Sequence, residues 1–198
     1  MRKEDISLDE KKKFTRLEAG FKDMETRLKE LEREFQQTQS QMLTNDMTIV
    51  VFSGEMDKLM TAFVLATGAA AMEINVTMFF TFWGLSALKK DVQYDGKKFS
   101  EKMLTLMMPS GPGSTKLSNF HMLGGGKKFL EYLMKKKNIQ SLSQCITMAQ
   151  DVGVKMIACQ MTMDLMGIKP EELLDGVEFG GAATCIGNAT RSKINFFI

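Results

Sequence analysis

The chain has 198 residues, 44% of them hydrophobic and 25% charged, with a net charge of +2. That length suits one globular domain with an appendage, or two small domains, and the near-neutral balance carries no electrostatic footprint of a nucleic-acid binder. Three cysteines at irregular spacing make neither a disulfide framework nor a zinc signature; a reducing, cytoplasmic setting is the simplest fit.

The opening Met1-Arg2-Lys3-Glu4-Asp5 has no apolar run behind it, which argues against a secretory signal peptide. Ten acidic and ten basic residues fall among the first 41, with a single glycine and no proline. Phe14, Leu17, Phe21, Met24, Leu28, Leu31, Phe35, Thr38 and Met42 recur at alternating steps of three and four, an a/d heptad seam. Ser7 and Glu10 suit a capping box ahead of it. Glu18–Lys22, Asp23–Arg27 and Glu25–Lys29 are acid-before-base pairs that support an exposed helix. Residues 1–44 are therefore expected to form a helical coiled-coil segment, roughly 50 Å long. Its seam needs a partner: a second copy of the chain, or the chain's own globular part folded back.

Residues 45–198 read as an α/β domain. Asn45-Asp46 breaks the heptad pattern, and Met47-Thr48-Ile49-Val50-Val51-Phe52 is a β-branched run suited to a buried parallel strand. Ser53-Gly54-Glu55 is a turn, residues 57–72 a helix, and residues 75–80 a second strand. The alternation of strand and helix recurs later in the chain, which predicts a mainly parallel sheet with helices on both faces. The stretch from Leu59 to Leu85 is long enough to span a bilayer. Glu73 and Asn75 fall at its middle, however, where an ionisable side chain is costly, so no membrane span is expected.

Residues 91–126 form a long excursion containing Pro109 and Pro112, then Gly124-Gly125-Gly126; such a loop is usually functional or disordered. Gly126-Lys127-Lys128 is not a phosphate loop, because no Ser or Thr follows the lysine and His121 stands where the first glycine belongs. His121, the only histidine, is either a solvated loop residue or an acid–base group. A helix ends at Lys135-Lys136-Lys137, cations that suit its carboxyl end. A further helix over 141–152 uses Cys145 as a packing residue. Residues 154–158 are a strand. Pro170 opens a short helix stopped by Gly176, residues 182–191 are helical and carry Cys185, and residues 194–198 close the chain as a last strand.

Cys159 stands between strand 154–158 and a helix ending at Gly167. A thiol at a helix amino terminus meets free N–H groups and the positive end of the dipole, which favour thiolate. The other reading is a small buried hydrophobe, the ordinary fate of a free cysteine. Cys159, Met161 and Met163 also offer soft ligands for Cu(I), but side chains two apart on a helix diverge. No metal site and no cofactor are expected.

Four segments resemble the DsrE/DsrF/DsrH-like family of sulfur-relay proteins, in particular its larger branch of DsrE-type carriers, also termed peroxiredoxin-like. They are Ile49-Val50-Val51-Phe52-Ser53-Gly54; Met107-Met108-Pro109-Ser110-Gly111-Pro112-Gly113 with Lys116-Leu117-Ser118; Ala158-Cys159-Gln160-Met161-Thr162-Met163-Asp164-Leu165-Met166-Gly167-Ile168; and Asp175-Gly176-Val177-Glu178-Phe179-Gly180-Gly181. The resemblance implies a flavodoxin-like fold, homotrimers or hexamers, and sulfur carried on Cys159 as a persulfide or thiosulfonate between donor and acceptor proteins. Cys145 and Cys185 match no motif of the family. Two other functions stay open: a thiol oxidoreductase with Cys159 peroxidatic and Cys145 or Cys185 resolving, and an oligomeric scaffold with an inert Cys159.

Overall fold

The computed structural model describes residues 8–41, 44–94, 96–97, 102–103, 105–106, 108–119 and 125–198. Ser7, Met42, Met107 and His121, to which the sequence assigns roles, lie outside the described residues. The chain divides into two units, Met1–Met42 and Leu43–Ile198.

The first unit is one helix, α1 (Leu8–Gln41). Asp23 pairs with Arg27 at 3.4 Å and Glu25 with Lys29 at 3.2 Å along its surface, two of the i,i+4 pairs read from the sequence. The seam residues Phe14, Leu17, Phe21, Met24, Leu28, Leu31 and Phe35 are all exposed. No packing within this unit explains their apolar spacing.

The second unit is a five-stranded sheet in the order β4-β3-β2-β1-β5. Its strands are β1 (Thr44–Val51), β2 (Asn75–Phe80), β3 (Lys155–Cys159), β4 (Glu178–Gly180) and β5 (Ser192–Phe197), and every neighbouring pair is parallel. With helices on both faces, this is the mainly parallel α/β sheet that the strand–helix alternation predicts and the flavodoxin-like class that the resemblance implies. Parallel neighbours require crossovers; α2 (Met56–Ala70), α3 (Gly125–Lys136), α4 (Leu142–Asp151), α5 (Gln160–Met166) and α6 (Ala182–Arg191) lie in the connections.

Strand alternation sorts the sheet into two unequal faces. Met47, Ile49 and Val51 of β1, Val76, Met78 and Phe80 of β2, and Met156 and Ala158 of β3 face the large core. There they meet Leu59, Ala62, Phe63 and Ala66 of α2 and Leu142, Cys145, Ile146 and Ala149 of α4. Among the described residues, the buried apolar cluster of the opposite face is small: Phe79, Ile157 and Cys159, with Val50 and Cys185 packed against them. Its cover is α6, none of whose residues is buried.

Three local readings are corrected. The first strand starts earlier than the expected Met47: β1 begins at Thr44 and takes in Asn45 and Asp46. The Asn45 amide donates to the Glu73 carbonyl at 3.1 Å and Asn75 donates to the Asp46 carboxylate at 2.9 Å, so polar side chains bind the open ends of β1 and β2. β4 was not expected; its three residues pair with β3 from Ile157↔Glu178 to Cys159↔Gly180. The expected helix at Pro170 is a single 3-10 turn, Pro170–Glu172.

The excursion after β2 starts as a 3-10 helix, Phe82–Leu88, whose Leu85, Ala87 and Leu88 are buried. Lys89 then bridges to Leu173. Behind it Glu172, fully buried, binds the buried Lys97 at 2.7 Å, and Lys97 donates to Thr105 at 3.2 Å. Lys89 is only 1% exposed, yet its Nζ has no hydrogen-bond partner among the described residues.

Candidate functional site

Cys159 is the last residue of β3 and the N-cap of α5. Gly167 ends α5 in the left-handed conformation, φ 63°, as a glycine allows at a helix terminus. The strand-to-helix junction therefore places the sulfur on the carboxyl edge of the sheet, as the sequence indicates. Its surroundings are closed: the residue is 4% exposed and belongs to the small second-face core.

Two threonines flank it. The hydroxyls of Thr81, which follows β2, and of Thr162, in the first turn of α5, lie 3.1 Å apart, and Thr162 Oγ1 accepts the Phe82 amide proton at 3.2 Å. Two hydroxyls carry two protons and their mutual bond uses one, which leaves the second for the sulfur. Burial by itself pushes the Cys159 thiol up. The Thr162 hydroxyl and amide, the Thr81 hydroxyl and the Met161 amide outweigh it, and the net direction is down from the ordinary thiol value. The neutral thiol makes no cap hydrogen bond of ordinary geometry; these donors engage the thiolate, which accepts far more strongly.

The same network holds a strained turn. Phe82 has φ 46°, a region that costs a bulky residue energy. Its amide is fixed by Thr162, and its ring packs on Phe52 at a centroid distance of 5.6 Å. Phe52 stacks on Phe197 at 6.0 Å, so aromatic rings line the carboxyl edge from β5 towards the cysteine. Beside them a groove of about 510 Å³ runs between Phe52, Ser53, Lys58, Trp83, Lys116 and Leu117.

A family model described as DsrE/DsrF/DrsH-like matches residues 43–197. The chain belongs to this family. The DsrE-like segment begins after α1 and excludes it. The YrkE protein of Bacillus subtilis (strain 168), itself uncharacterized, is 46% identical over 156 residues, which span 78% of this chain and 98% of that protein. The sulfur carrier protein DsrE2 of Allochromatium vinosum is 34% identical over 158 residues, 77% of this chain and 97% of its own. The crystal structure of the ychN protein from E. coli is similar with a TM-score of 0.49 at 14% identity, covering 78% of this chain and all of that one.

Within this DsrE-like domain the three cysteines part company. Cys145 sits in α4 within the large core, on the other face of the sheet from Cys159, and burial pushes its thiol up. Cys185, half-buried in the second turn of α6, packs on the cluster that contains Cys159. Its thiol is pushed up first by burial and then by the charge of Cys159. The methionines after the cysteine do not surround it: Met163 and Met166 are in the large core and Met161 is exposed. Residues 108–119 pack on the α2 side, where Met108 and Leu117 join the large core, Lys116 O accepts from the Met56 amide at 2.7 Å, and the Ser118 amide donates to Asp57 at 3.0 Å. Among the described residues, no group of three or more His, Cys, Asp or Glu converges as a metal site would require, and no helix is long and apolar enough to cross a membrane.

Sequence reasoning missed Thr81 and Thr162. Their only signal is position: one follows the apolar run of β2, the other stands three residues after Cys159, where an N-cap side chain meets its N3 neighbour.

Proposed function

We propose that the protein is a cysteine-based sulfur carrier that takes sulfane sulfur onto Cys159 and passes it to a second protein. The observation that carries this reading is the placement of Cys159 at the N-cap of α5, with two hydroxyls and two amides favouring its thiolate. Membership of the family and the 34% identity to a sulfur carrier support it. In the transfer the Cys159 thiolate attacks the outer sulfur of a donor persulfide. A new S–S bond forms at Cys159, the donor's S–S bond breaks, and the donor leaves as thiolate with no net oxidation. The proton of the outer sulfur moves with it. Passing the sulfur on is the same step in reverse, so the chain acts stoichiometrically and needs no cofactor or metal.

A sulfur atom that is nearly occluded needs an opening to meet another protein. α6 and the three-residue β4 contribute few buried apolar contacts and are the least costly elements to displace. Three free cysteines fit a reducing, cytoplasmic setting.

The carrier self-associates through α1 and through the α/β domain, as a trimer or hexamer. In α1 the e positions of the seam are Glu18, Glu25 and Glu32, and the g positions include Lys13 and Arg27. A parallel, in-register pairing sets Lys13 against Glu18 and Arg27 against Glu32 of the neighbouring copy; an antiparallel one sets glutamates against each other. A second copy in parallel is the partner this seam fits.

Whole-protein mass spectrometry after incubation with sulfane-sulfur donors tests the reading. Added sulfur on the wild type and none on Cys159→Ser is the expected result. Absence of any adduct on folded protein across several donors leaves the scaffold with an inert cysteine. Oxidation of Cys159 by peroxide without sulfur loading leaves the thiol oxidoreductase.

A further inference from the structure

Cys159 is not alone on its face of the sheet. Its Cα pairs with Gly180 of β4, and α6 starts two residues later and returns across this face of the sheet towards β1 and β5. Gly180 makes this approach possible: a Cβ there would meet Ile157 Cγ2 and Thr184 Cβ, both at 3.1 Å. The next residue, Cys185, packs against the Phe79–Ile157–Cys159 cluster. Two cysteines 26 positions apart therefore share one small apolar cluster, while Cys145 is separated from both by the sheet itself.

We propose that Cys185 is a resolving thiol: it attacks the inner sulfur of the Cys159 persulfide, expels the outer sulfur as hydrosulfide and leaves a Cys159–Cys185 disulfide. The inference rests on the sulfur-carrier reading and adds a second fate for the bound sulfur. The step is balanced. The Cys185–Cys159 S–S bond forms as the persulfide S–S bond breaks, the outer sulfur takes two electrons and departs as hydrosulfide, and the two cysteines are jointly oxidised to disulfide. No outside oxidant is consumed; a cellular dithiol of the thioredoxin class restores both thiols.

Environment sets the tempo. Burial and the adjacent Cys159 charge hold Cys185 protonated near neutrality, so the loaded carrier keeps its sulfur long enough to hand it on. Discharge accelerates as pH rises towards the elevated range of the Cys185 thiol. A carrier built this way delivers sulfur when an acceptor is present and clears itself when none arrives.

The test loads full-length protein with sodium tetrasulfide, removes the excess, and follows hydrosulfide release and intact mass at neutral and at mildly alkaline pH. The wild type is expected to release one hydrosulfide per loaded chain, faster at alkaline pH. It then weighs two hydrogens less than the reduced chain, with Cys159 and Cys185 linked in the peptide map. Cys185→Ser and Cys185→Ala, checked for native circular dichroism, should hold the persulfide about tenfold longer or more, and Cys145→Ser should match the wild type. Equal lifetimes in the wild type and both Cys185 variants, or a disulfide mapped elsewhere, overturn the proposal and leave the carrier intact. Sulfur absent from Cys159 in every variant overturns both.

Discussion

Thr81 and Thr162 face one another across the ends of β2 and β3, hydroxyl to hydroxyl at 3.1 Å, with Thr162 also holding the Phe82 amide. The pair couples the acidity of Cys159 to the backbone turn that follows β2. Thr81→Val removes one hydroxyl proton from the count and should raise the Cys159 thiol. Thr162→Val does the same and also orphans the Phe82 amide, at an added cost of about 1–3 kcal/mol in stability. The pH midpoint of alkylation and a urea melt on each variant separate the two effects. Equal stability of the two variants would show that Thr162 does not hold the turn.

The three thiols should titrate in different directions. Cys159 lies below the ordinary thiol value, Cys145 and Cys185 above it. A lowered folded-state value contributes stability that is present above the unfolded thiol pKa and lost as pH falls through the folded one. The two raised thiols act oppositely and lose stability as pH climbs past the ordinary range. Cys159→Ser should therefore flatten the gain in stability on the alkaline side, and Cys145→Ser the loss. Urea melts across neutral to alkaline pH check both signs.

Lys89 is a buried amine without a hydrogen-bond partner among the described residues. Burial holds it below the ordinary lysine value, with nearby Glu172 opposing and Lys97 reinforcing that shift. The folded chain thus binds this proton less tightly than the unfolded one, and stability rises with pH towards the ordinary lysine range. Lys89→Met keeps the stem and removes the unsatisfied group, and should stabilise by about 1–3 kcal/mol. It should also lose that part of the slope. The opposite sign for Glu172→Gln, which leaves Lys97 buried and unpaired, should reach about 3–5 kcal/mol of destabilisation.

Glycines at the carboxyl edge rank by what they approach. A Cβ on Gly84 would run into the Val51 carbonyl, part of the backbone of β1, whereas one on Gly180 would meet only side-chain carbons of Ile157 and Thr184. Gly84→Ala should cost more than about 3 kcal/mol and Gly180→Ala about 1–2 kcal/mol. Thermal melts order them; a milder Gly84→Ala would mean that β1 yields.

Charge introduced into the α1 seam should abolish association through it without unfolding the α/β domain. Leu28→Asp, and a chain beginning at residue 43, should lower the mass measured by light scattering while the near-ultraviolet spectrum of the domain persists. An unchanged mass in both would assign assembly to the α/β domain alone.

Much of this was legible in the sequence because each signal was local. The β-branched run of β1, the i,i+4 ion pairs of α1 and the strand-to-helix step at Cys159 lie within a few residues of the features they specify. β4 was not legible, since three residues show no alternation and owe their strand geometry to pairing with β3. The threonine pair was invisible because 81 residues separate its members. Lys89 reads as a surface residue from its type alone, and only the Leu88–Leu174 and Lys89–Leu173 pairing draws it inside. The proximity of Cys185 to Cys159 likewise depends on the return of α6 over the sheet.

That return gives the sheet a role besides support. It is a wall a single layer thick, with Cys159 and Cys185 on one side and Cys145 sealed on the other among leucine, isoleucine and alanine. Under the proposed carrier role, sulfur leaving Cys159 would meet Cys185 without crossing the main core. A chain with three thiols can thus stay chemically specific while folded, and reaction at Cys145 becomes a built-in reporter that the domain has opened.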